Sequence, residues 1–297
     1  SLFESTMGQE LMSQAENLLK LPLRHLMLEG RKEALTNTAI AQPAILLHSY
    51  VAYRSFLEKQ SFNISSVLGH SLGEYSALVI AGVVDFADAL CAVHTRGKLM
   101  QEAVPEGEGA MAAVLGLDAD QIIESLAPFS DPNASNYVAC ANFNGPGQTV
   151  IAGTRLGVRE ATFALKERGA KRVIDLDVSA PFHCALMKPV QEKMAEVLDA
   201  ISFSDAEVPV ISNVSAEPET NGARIKELLL KQIASPVRFS ECVSNLIAKK
   251  LAGSLFIELG PKNTLAGLVR KIDATTAVFN IDSASDLAKF DQSRIEQ

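Results

Sequence analysis

The sequence lacks several features that mark whole classes of protein. No apolar run reaches the roughly 18 to 20 residues needed to cross a bilayer, and residues 1–20 have neither the basic cap nor the apolar centre of a secretion signal. The cysteines are widely spaced, without a Cys-x-x-Cys pair or a nearby histidine at ligand spacing, so neither a disulfide framework nor a zinc site is predicted. They are Cys91, Cys140, Cys184 and Cys242. We therefore expect a cytoplasmic protein with reduced thiols, no metal site and no membrane contact.

The chain also has fewer positively charged than negatively charged side chains. The chain has 27 Lys and Arg against 35 Asp and Glu, a net charge of -8 at pH 7. This balance argues against nucleic acid as the main partner, and an acidic protein would have to dock on a local basic patch.

Internal repeats and low-complexity tracts are absent from the sequence too. With hydrophobic residues at 47% of the composition, the chain can bury one large core or two unequal ones, and we expect a compact globular protein.

Helical and strand periods alternate along most of the chain, which is typical of an α/β protein. Residues 1–106 and 178–297 are predicted to form a large α/β domain, with a helix over 44–59 after Pro43 and strands over 64–69 and 208–213. Between them, residues 107–177 have the order strand, helix, strand, strand, helix, strand. That βαββαβ order is the split pattern of a ferredoxin-like unit. The sequence therefore predicts a small domain inserted into a larger one.

The stretch Gly69-His70-Ser71-Leu72-Gly73 fits the Gly-x-Ser-x-Gly pattern of a nucleophile elbow. In such an elbow a tight strand-to-helix turn pushes the serine oxygen outward, and small flanking residues relieve the crowding. The preceding "ISSVL" predicts the strand and the following "GEYSALVIAG" predicts the helix. Ser71 is thus a candidate nucleophile, and the backbone N–H of Leu72, at a helix N-terminus, is a candidate oxyanion donor. The alternative is a tight turn with an incidental serine.

A serine hydroxyl is a poor nucleophile at neutral pH and needs a base within hydrogen-bond reach. His183 is the best of the five histidines, because it follows a predicted strand and the loop "SAPF" and directly precedes a predicted helix. That helix terminus would disfavour the charged imidazolium and keep the ring available as a base. His70 is expected to point to the opposite side of the elbow from Ser71. No Asp or Glu stands out as the third member, and a backbone carbonyl could orient the ring instead.

Arg96 interrupts an apolar helical stripe that also contains Ala89, Val93 and Met100. A guanidinium that faces inward should have an anionic partner, and its planar fork suits a carboxylate. Three possibilities stay open at this point: a substrate carboxylate, an internal Asp or Glu, or a side chain that snorkels to water.

Several motifs in order resemble one family. "GHSLGEYSALV", "RGKLMQEAVPEGEGAMAAVLGL", "NFNGPGQTVIAG" and "APFHCALMKP" are similar to the malonyl-CoA:acyl carrier protein transacylases of bacterial fatty acid synthesis, and the resemblance runs from about Glu33 to Arg270. It implies an α/β-hydrolase-like large domain that carries an inserted ferredoxin-like small domain. It also implies malonyl-CoA and acyl carrier protein as partners, with the coenzyme A thioester as a substrate and no cofactor. We expect a monomer.

The resemblance also implies roles for individual residues. Ser71 would be the nucleophile, His183 the base and Arg96 the clamp on the malonyl carboxylate, with the Leu72 N–H as an oxyanion donor. Gln232 matches the position whose backbone carbonyl orients the histidine, which would explain the missing acid. The acyl pocket would include Phe182, whose ring would crowd an alkyl branch on the acyl α-carbon, and Met100.

One departure from the family and two rival functions remain. The family opens with a strand and a Phe-Pro-Gly-Gln-Gly-Ser-Gln loop whose glutamine helps build the oxyanion hole, and this sequence has no such motif. We expect a preceding segment to supply it, rather than a truncated version that lacks one oxyanion donor. A serine hydrolase such as a thioesterase could use the same elbow and histidine. A catalytically silent subunit that holds a carrier protein is the rival of another class.

Overall fold

The computed structural model describes residues 1–30, 35–59, 62–178, 180–251 and 255–290 of a mixed α/β chain. Residues 291–297, the end of the predicted large domain, thus lie outside the described residues. The helices are α1 (Thr6–Leu19), α2 (Leu23–Leu28), α3 (Thr38–Leu57), α4 (Leu72–Ile80), α5 (Phe86–Gln101), α6 (Ala119–Leu126), α7 (Arg155–Glu167), α8 (Lys188–Asp199), α9 (Gly222–Gln232), α10 (Phe239–Ala248), α11 (Thr264–Ile272) and α12 (Ala284–Lys289). The strands are β1 (Val67–Leu68), β2 (Gly109–Leu115), β3 (Val138–Gly145), β4 (Gln148–Thr154), β5 (Arg172–Asp175), β6 (Val210–Ile211), β7 (Pro218–Glu219), β8 (Phe256–Leu259) and β9 (Val278–Ile281).

The large part of the molecule packs helices around short parallel strands. Its main core joins apolar side chains of α1, α3, α4, α5 and α8. Strand β1 runs parallel to β6, with Val67 opposite Val210, and β8 runs parallel to β9. Because β1 and β6 are parallel, their carboxyl ends lie at the same edge of the sheet, and the residues that follow each strand are brought together.

The strands predicted over 64–69 and 208–213 are shorter in the structure, where β1 and β6 pair over two residues each. Strand β1 is hydrogen-bonded to β6 on one side, and its other side lines a cavity of about 1030 Å³ that β8 also lines. Strand β6 pairs with β7 over the same two residues, so this three-stranded sheet is only two residue pairs long.

Helix α3 begins at Thr38, so the prediction of a helix that starts after Pro43 was wrong. Asn37 caps the helix, since its side chain accepts a hydrogen bond from Ala39 N at 2.9 Å. Pro43 lies inside the helix and cannot donate to the Ala39 carbonyl, four residues earlier. His94 of α5 satisfies that carbonyl instead, with its Nδ1 at 2.8 Å. A donor from a neighbouring helix therefore lets α3 run through its proline.

Strands β2 to β5 form one antiparallel sheet in the order β3-β4-β2-β5. Helices α6 and α7 cover one face, where Ile122, Val158 and Leu165 pack against Ala112 and Ile151. The sheet and helices have the βαββαβ order and the strand arrangement of a ferredoxin-like unit. The boundaries at residues 107 and 177 stay a prediction, and the four strands lie between them.

The small sheet is tied to the large part of the molecule beside α9 and α10. Phe143 N donates to Val237 O at 2.8 Å and Val237 N donates to Ala141 O at 2.9 Å, so β3 pairs with the segment between these helices. The Tyr137 hydroxyl accepts a hydrogen bond from Ala185 N at 3.1 Å. These contacts fix β3 and the residue before it against the large part of the molecule.

We predict that His94→Phe lowers the free energy of unfolding by about 2 kcal/mol, because it leaves the Ala39 carbonyl buried without a donor. Urea unfolding measures this, and His25→Phe, on an exposed histidine, should change the free energy by less than about 0.5 kcal/mol. In a Pro43→Ala background the cost of His94→Phe should shrink, since alanine supplies the N–H that proline lacks. An equal cost in both backgrounds would contradict the assigned hydrogen bond.

Candidate active site

Ser71 occupies the turn between β1 and α4 with a strained backbone, at φ 52° and ψ -106°. Residues other than glycine rarely adopt a positive φ, and such strain is typical of functional turns. Gly69 is required by the same turn, because a Cβ there would lie 1.9 Å from the backbone carbon of Gly73. A Cβ on Gly73 would meet nothing within 4 Å. The sequence pattern predicted that both flanking glycines relieve crowding at the turn. In the structure the crowding is at Gly69, and Gly73 has room for a side chain.

Asn213 holds both sides of this turn. Its Oδ1 accepts a hydrogen bond from Ser71 N at 2.7 Å, and its Nδ2 donates to Gly69 O at 2.7 Å. Asn213 follows β6, the parallel neighbour of β1, which explains how a residue so distant in sequence reaches the turn. Sequence reasoning missed Asn213, although a polar residue at the end of a predicted apolar strand, here the strand predicted over 208–213, is a recognisable signal.

Ser71 and His183 are brought together at hydrogen-bond distance. Ser71 Oγ lies 2.7 Å from His183 Nε2, and His183 Nδ1 lies 2.9 Å from the backbone oxygen of Gln232. A carbonyl can only accept, so Nδ1 carries the proton and the Nε2 lone pair faces the serine. The predicted backbone carbonyl partner is thus present next to the ring.

The imidazole of His183 is held neutral. Burial is the largest cause, and the positive charge of Arg96 adds to it, so that the pKa of His183 falls to about 3. The helix terminus invoked from the sequence is not the main cause of this shift. A neutral ring at physiological pH has a free lone pair with which to accept the Ser71 proton.

Arg96 is buried, with 1% of its surface exposed, so the snorkelling alternative was wrong. Its Nη1 donates to Gln42 Oε1 at 2.7 Å, and its Nη2 donates to Ser71 Oγ at 3.0 Å and to Gln232 Oε1 at 3.1 Å. The guanidinium also lies over the Tyr75 ring, 5.6 Å from its centroid. No Asp or Glu in the described part of the chain forms a salt bridge with it. The cation therefore lies beside the serine, and the hydrogen bonds that it makes within the described ranges go to neutral side chains.

Glu74 lies directly behind the catalytic candidates and was missed from the sequence. Its Oε2 accepts hydrogen bonds from Gln232 Nε2 at 2.8 Å and from Asn213 N at 3.1 Å. Burial raises the pKa of Glu74 to about 7, while these two hydrogen bonds and the charge of Arg96 act in the opposite direction. The "GHSLGEY" stretch contained the signal, since a carboxylate three residues after the serine is on the first turn of the helix.

Three further residues were predicted to belong to the site: Leu72, Phe182 and Met100. Leu72 is the first residue of α4, and the first four N–H groups of a helix have no acceptor within it. Phe182 lines a cavity of about 270 Å³ together with Thr38 and Ala41. Met100 is buried, and its sulfur lies 3.9 Å from Nε2 of Gln42, the residue that accepts a hydrogen bond from Arg96.

His70 points away from the reactive side of the turn, as predicted. Its Nε2 lies 2.8 Å from Asn144 Oδ1 of β3, and its ring packs against Phe239. Burial lowers the pKa of His70, so this ring is also neutral. His70 thus connects the turn to the small sheet.

The described ranges contain no group of three or more His, Cys, Asp or Glu side chains that could hold a metal ion. Within the same ranges no helix combines the length and the apolar character needed to span a bilayer. What the site does offer is a hydroxyl, a neutral imidazole, a helix N-terminus and a buried cation, the set needed for acyl transfer from an acid-bearing substrate.

Gly69→Ala should lower the free energy of unfolding by at least about 2 kcal/mol, because the added methyl would overlap the backbone of Gly73. Gly267→Ala is the matched control, since a Cβ there meets nothing within 4 Å and the residue lies within α11. It should stabilise the protein by about 0.5 to 1 kcal/mol. Equal urea midpoints for the two variants would contradict the close approach.

Glu74→Gln should change how stability depends on pH. The folded pKa of Glu74, about 7, lies above its ordinary value of 4.5, so its contribution to stability is complete below pH 4.5 and is lost as the pH rises through 7. Glutamine does not titrate. Between pH 4.5 and pH 8 the wild type should therefore lose on the order of 3 kcal/mol relative to Glu74→Gln.

Urea unfolding at both pH values measures this difference. The control is Glu10→Gln, on an exposed carboxylate of α1, which should follow the wild type at both pH values. A constant difference between the wild type and Glu74→Gln across this range would refute the raised pKa.

The family model of the acyl transferase domain matches residues 2–286. The chain is 49% identical over 266 residues to the malonyl CoA-acyl carrier protein transacylase of Bacillus subtilis, covering 90% of this chain and 82% of that protein. The solved malonyl CoA-acyl carrier protein transacylase of Coxiella burnetii superposes with a TM-score of 0.93 at 34% identity, over 99% of this chain and 92% of that one.

A second solved structure is a malonyl-transacylase in complex with its holo type II PKS acyl-carrier protein. It has a TM-score of 0.90 and 39% identity, and the match covers 97% of this chain and 90% of that one. These matches confirm the predicted fold class, an α/β-hydrolase-like large domain with an inserted ferredoxin-like small domain. The chain therefore belongs to the acyl transferase domain family, in the group of the malonyl CoA-acyl carrier protein transacylases.

Proposed function

We propose that this chain transfers the malonyl group of malonyl-CoA, through an acyl-enzyme on Ser71, to the phosphopantetheine thiol of an acyl carrier protein. One observation carries the proposal: Ser71 Oγ lies within hydrogen-bond distance of both His183 Nε2 and Arg96 Nη2. The first contact suits a nucleophile and its base, and the second places a carboxylate-binding cation beside the reacting atom. The names of the relatives supply the identity of the two substrates.

In the first half-reaction His183 Nε2 takes the proton of Ser71 while Oγ attacks the thioester carbonyl. The Gln232 carbonyl accepts a hydrogen bond from Nδ1 and keeps the ring in the required tautomer. The Leu72 N–H, at the start of α4, is a donor for the oxygen that becomes negative. The C–S bond then breaks, and the sulfur of coenzyme A leaves with the proton from His183.

In the second half-reaction the carrier thiol gives its proton to His183 and its sulfur attacks the acyl ester. The ester C–O bond breaks, and Ser71 Oγ recovers the proton from Nε2. The two half-reactions use one site in turn, so the kinetics should be ping-pong. No cofactor takes part in either step of this proposal.

Arg96 gives the site its preference for an acyl group that carries a carboxylate. An acyl chain on Ser71 Oγ would begin 3.0 Å from Nη2, so a carboxylate on the α-carbon is within reach of the guanidinium. Burial strengthens this attraction, because the surroundings screen it less than water does. Phe182 and Met100 are proposed to bound the acyl pocket, with Phe182 excluding branched acyl groups.

The carrier protein would dock through local positive charge. Lys188, Lys250 and Lys262 are exposed and are candidates, whereas Lys249 already pairs with Glu217 at 2.8 Å. The position of this surface, the monomeric state and the cytoplasmic location stay predictions. A thioesterase would share the elbow and histidine, but Arg96 beside the serine and the family membership favour transfer.

Intact mass after incubation with malonyl-CoA or acetyl-CoA tests the proposal. The wild-type chain should form a malonyl adduct that Ser71→Ala abolishes. Arg96→Ala should lower the ratio of malonyl to acetyl adduct at least tenfold, about 1.4 kcal/mol of selectivity. The control Arg224→Ala, on an exposed arginine, should leave the ratio unchanged.

Addition of holo acyl carrier protein should then move the malonyl group to the carrier. Release of free malonate at the same rate would indicate a hydrolase instead. The transferase proposal fails if no adduct forms on the wild-type chain, or if the adduct persists in Ser71→Ala.

A further inference from the structure

A buried carboxylate and a buried guanidinium are joined through one amide. Glu74 Oε2 accepts from Gln232 Nε2 at 2.8 Å, and Gln232 Oε1 accepts from Arg96 Nη2 at 3.1 Å. All three residues are buried, and the reaction described above uses neither the carboxylate nor the amide of this chain of contacts. The arrangement puts one negative and one positive charge at the two ends of a neutral side chain.

We propose that Glu74 is the counter-ion of Arg96 across the Gln232 amide, and that it takes up one proton from solvent when a malonyl carboxylate binds Arg96. Glu74 is a positioning residue in this scheme, since it acts on the substrate through Gln232 and Arg96. The inference rests on the proposed function, because it needs an acyl donor with a carboxylate.

The need for a counter-ion follows from the direct partners of Arg96. Gln42, Gln232 and Ser71 offer neutral oxygens, and Arg96 Nε has no partner among the described residues. A buried charge without compensation is expensive, so an anion within the same network stabilises Arg96. Glu74 is that anion in the empty site above pH 7, where its carboxylate is ionised. A malonyl carboxylate brings a second negative charge to one cation, and a proton on Glu74 restores the balance.

The geometry allows the proton to be added without disturbing the site. Both hydrogen bonds to Glu74, from Gln232 Nε2 and Asn213 N, end on Oε2. The proton can therefore reside on Oε1 while Oε2 keeps both donors. Gln232 and Asn213 in turn keep their contacts with His183 and Ser71, so the change in charge leaves the reacting groups in place.

The other charged or titratable groups around Glu74 do not change charge near neutral pH. Tyr75 on its own helix has a pKa raised to about 12 by burial, and burial also raises the pKa of the Cys242 thiol on α10. Burial lowers the pKa of Arg96 on α5, but a guanidinium starts from so high a pKa that it is charged in proteins at physiological pH. His183, which shares Gln232, is neutral, with a pKa of about 3. Between pH 6 and pH 9, Glu74 is the group of this set that titrates.

The proposal sets the direction of the pH dependence. Below pH 7 Glu74 is already neutral in the empty site, and malonyl-CoA binds without taking up a proton. Above pH 7 each binding event must take up a proton, so affinity for malonyl-CoA should fall by up to tenfold per pH unit. Acetyl-CoA carries no carboxylate, and its binding should not show this fall.

Calorimetry at pH 8 in buffers of different ionisation enthalpy counts the protons directly. Ser71→Ala prevents turnover, and this variant should take up close to one proton per malonyl-CoA bound and none with acetyl-CoA. The double variant Ser71→Ala with Glu74→Gln should take up none with either donor. No uptake in Ser71→Ala itself overturns the proposal, whether or not the double variant folds.

A second measurement uses the active chain. From pH 6.5 to pH 8.5 the ratio of malonyl to acetyl adduct should fall at least fivefold in the wild type. It should vary less than twofold in Glu74→Gln, while Glu196→Gln, on an exposed carboxylate of α8, should follow the wild type. Parallel profiles of the wild type and Glu74→Gln overturn the inference alone, whereas absence of any malonyl adduct at any pH overturns the proposed function as well.

Discussion

The site depends on the buried hydrogen bonds of Gln232, a residue with no exposed surface. Its backbone oxygen faces His183 Nδ1, its side-chain oxygen accepts from Arg96, and its side-chain nitrogen donates to Glu74 and to Ser71 O. A glutamine amide can donate and accept at once, which neither an ionised carboxylate nor an aliphatic side chain can do. One neutral residue thereby fixes the histidine tautomer, the arginine and the turn that presents the serine.

This arrangement explains how catalysis of this kind proceeds without an Asp or Glu next to the histidine. A carboxylate at that place would stabilise an imidazolium and would also pair with Arg96, which in the proposed function must stay free for a substrate carboxylate. A backbone carbonyl orients the ring without either effect. The acidic residue of the site, Glu74, contacts the side chain of Gln232, which lies between the Glu74 carboxylate and both His183 and Arg96.

The fold brings these groups together at the carboxyl end of two parallel strands. Ser71 follows β1 and Asn213 follows β6, while α5 carries Arg96 and the end of α9 carries Gln232. The small sheet reaches the same place through Val237 and through the His70–Asn144 hydrogen bond. The serine turn is therefore held from both parts of the molecule, although it is strained in itself.

Features with a local cause were predictable from the sequence. The Gly69-to-Gly73 stretch determines a tight turn before a helix, since only glycine fits at position 69, and the alternating periods determine an α/β chain with a βαββαβ unit. The sequence pattern itself indicated His183 and Arg96, and the resemblance to a family added Gln232. The predicted start of α3 was wrong, because the hydrogen-bond donor that lets this helix contain Pro43 is His94 of another helix. A rule based on neighbouring residues cannot predict such a donor.

The partners of each functional group were decided by tertiary structure alone. Arg96 bonds to a glutamine 54 residues earlier and another 136 residues later, and the amide of Asn213 crosses 142 residues to reach Ser71. No periodicity encodes such pairs, because they arise where separate helices and strands meet. For the same reason, the raised pKa of Glu74 could not be inferred from its place in "GHSLGEY". The sequence by itself determined which groups are reactive, and burial in the folded chain decided their charges and their partners.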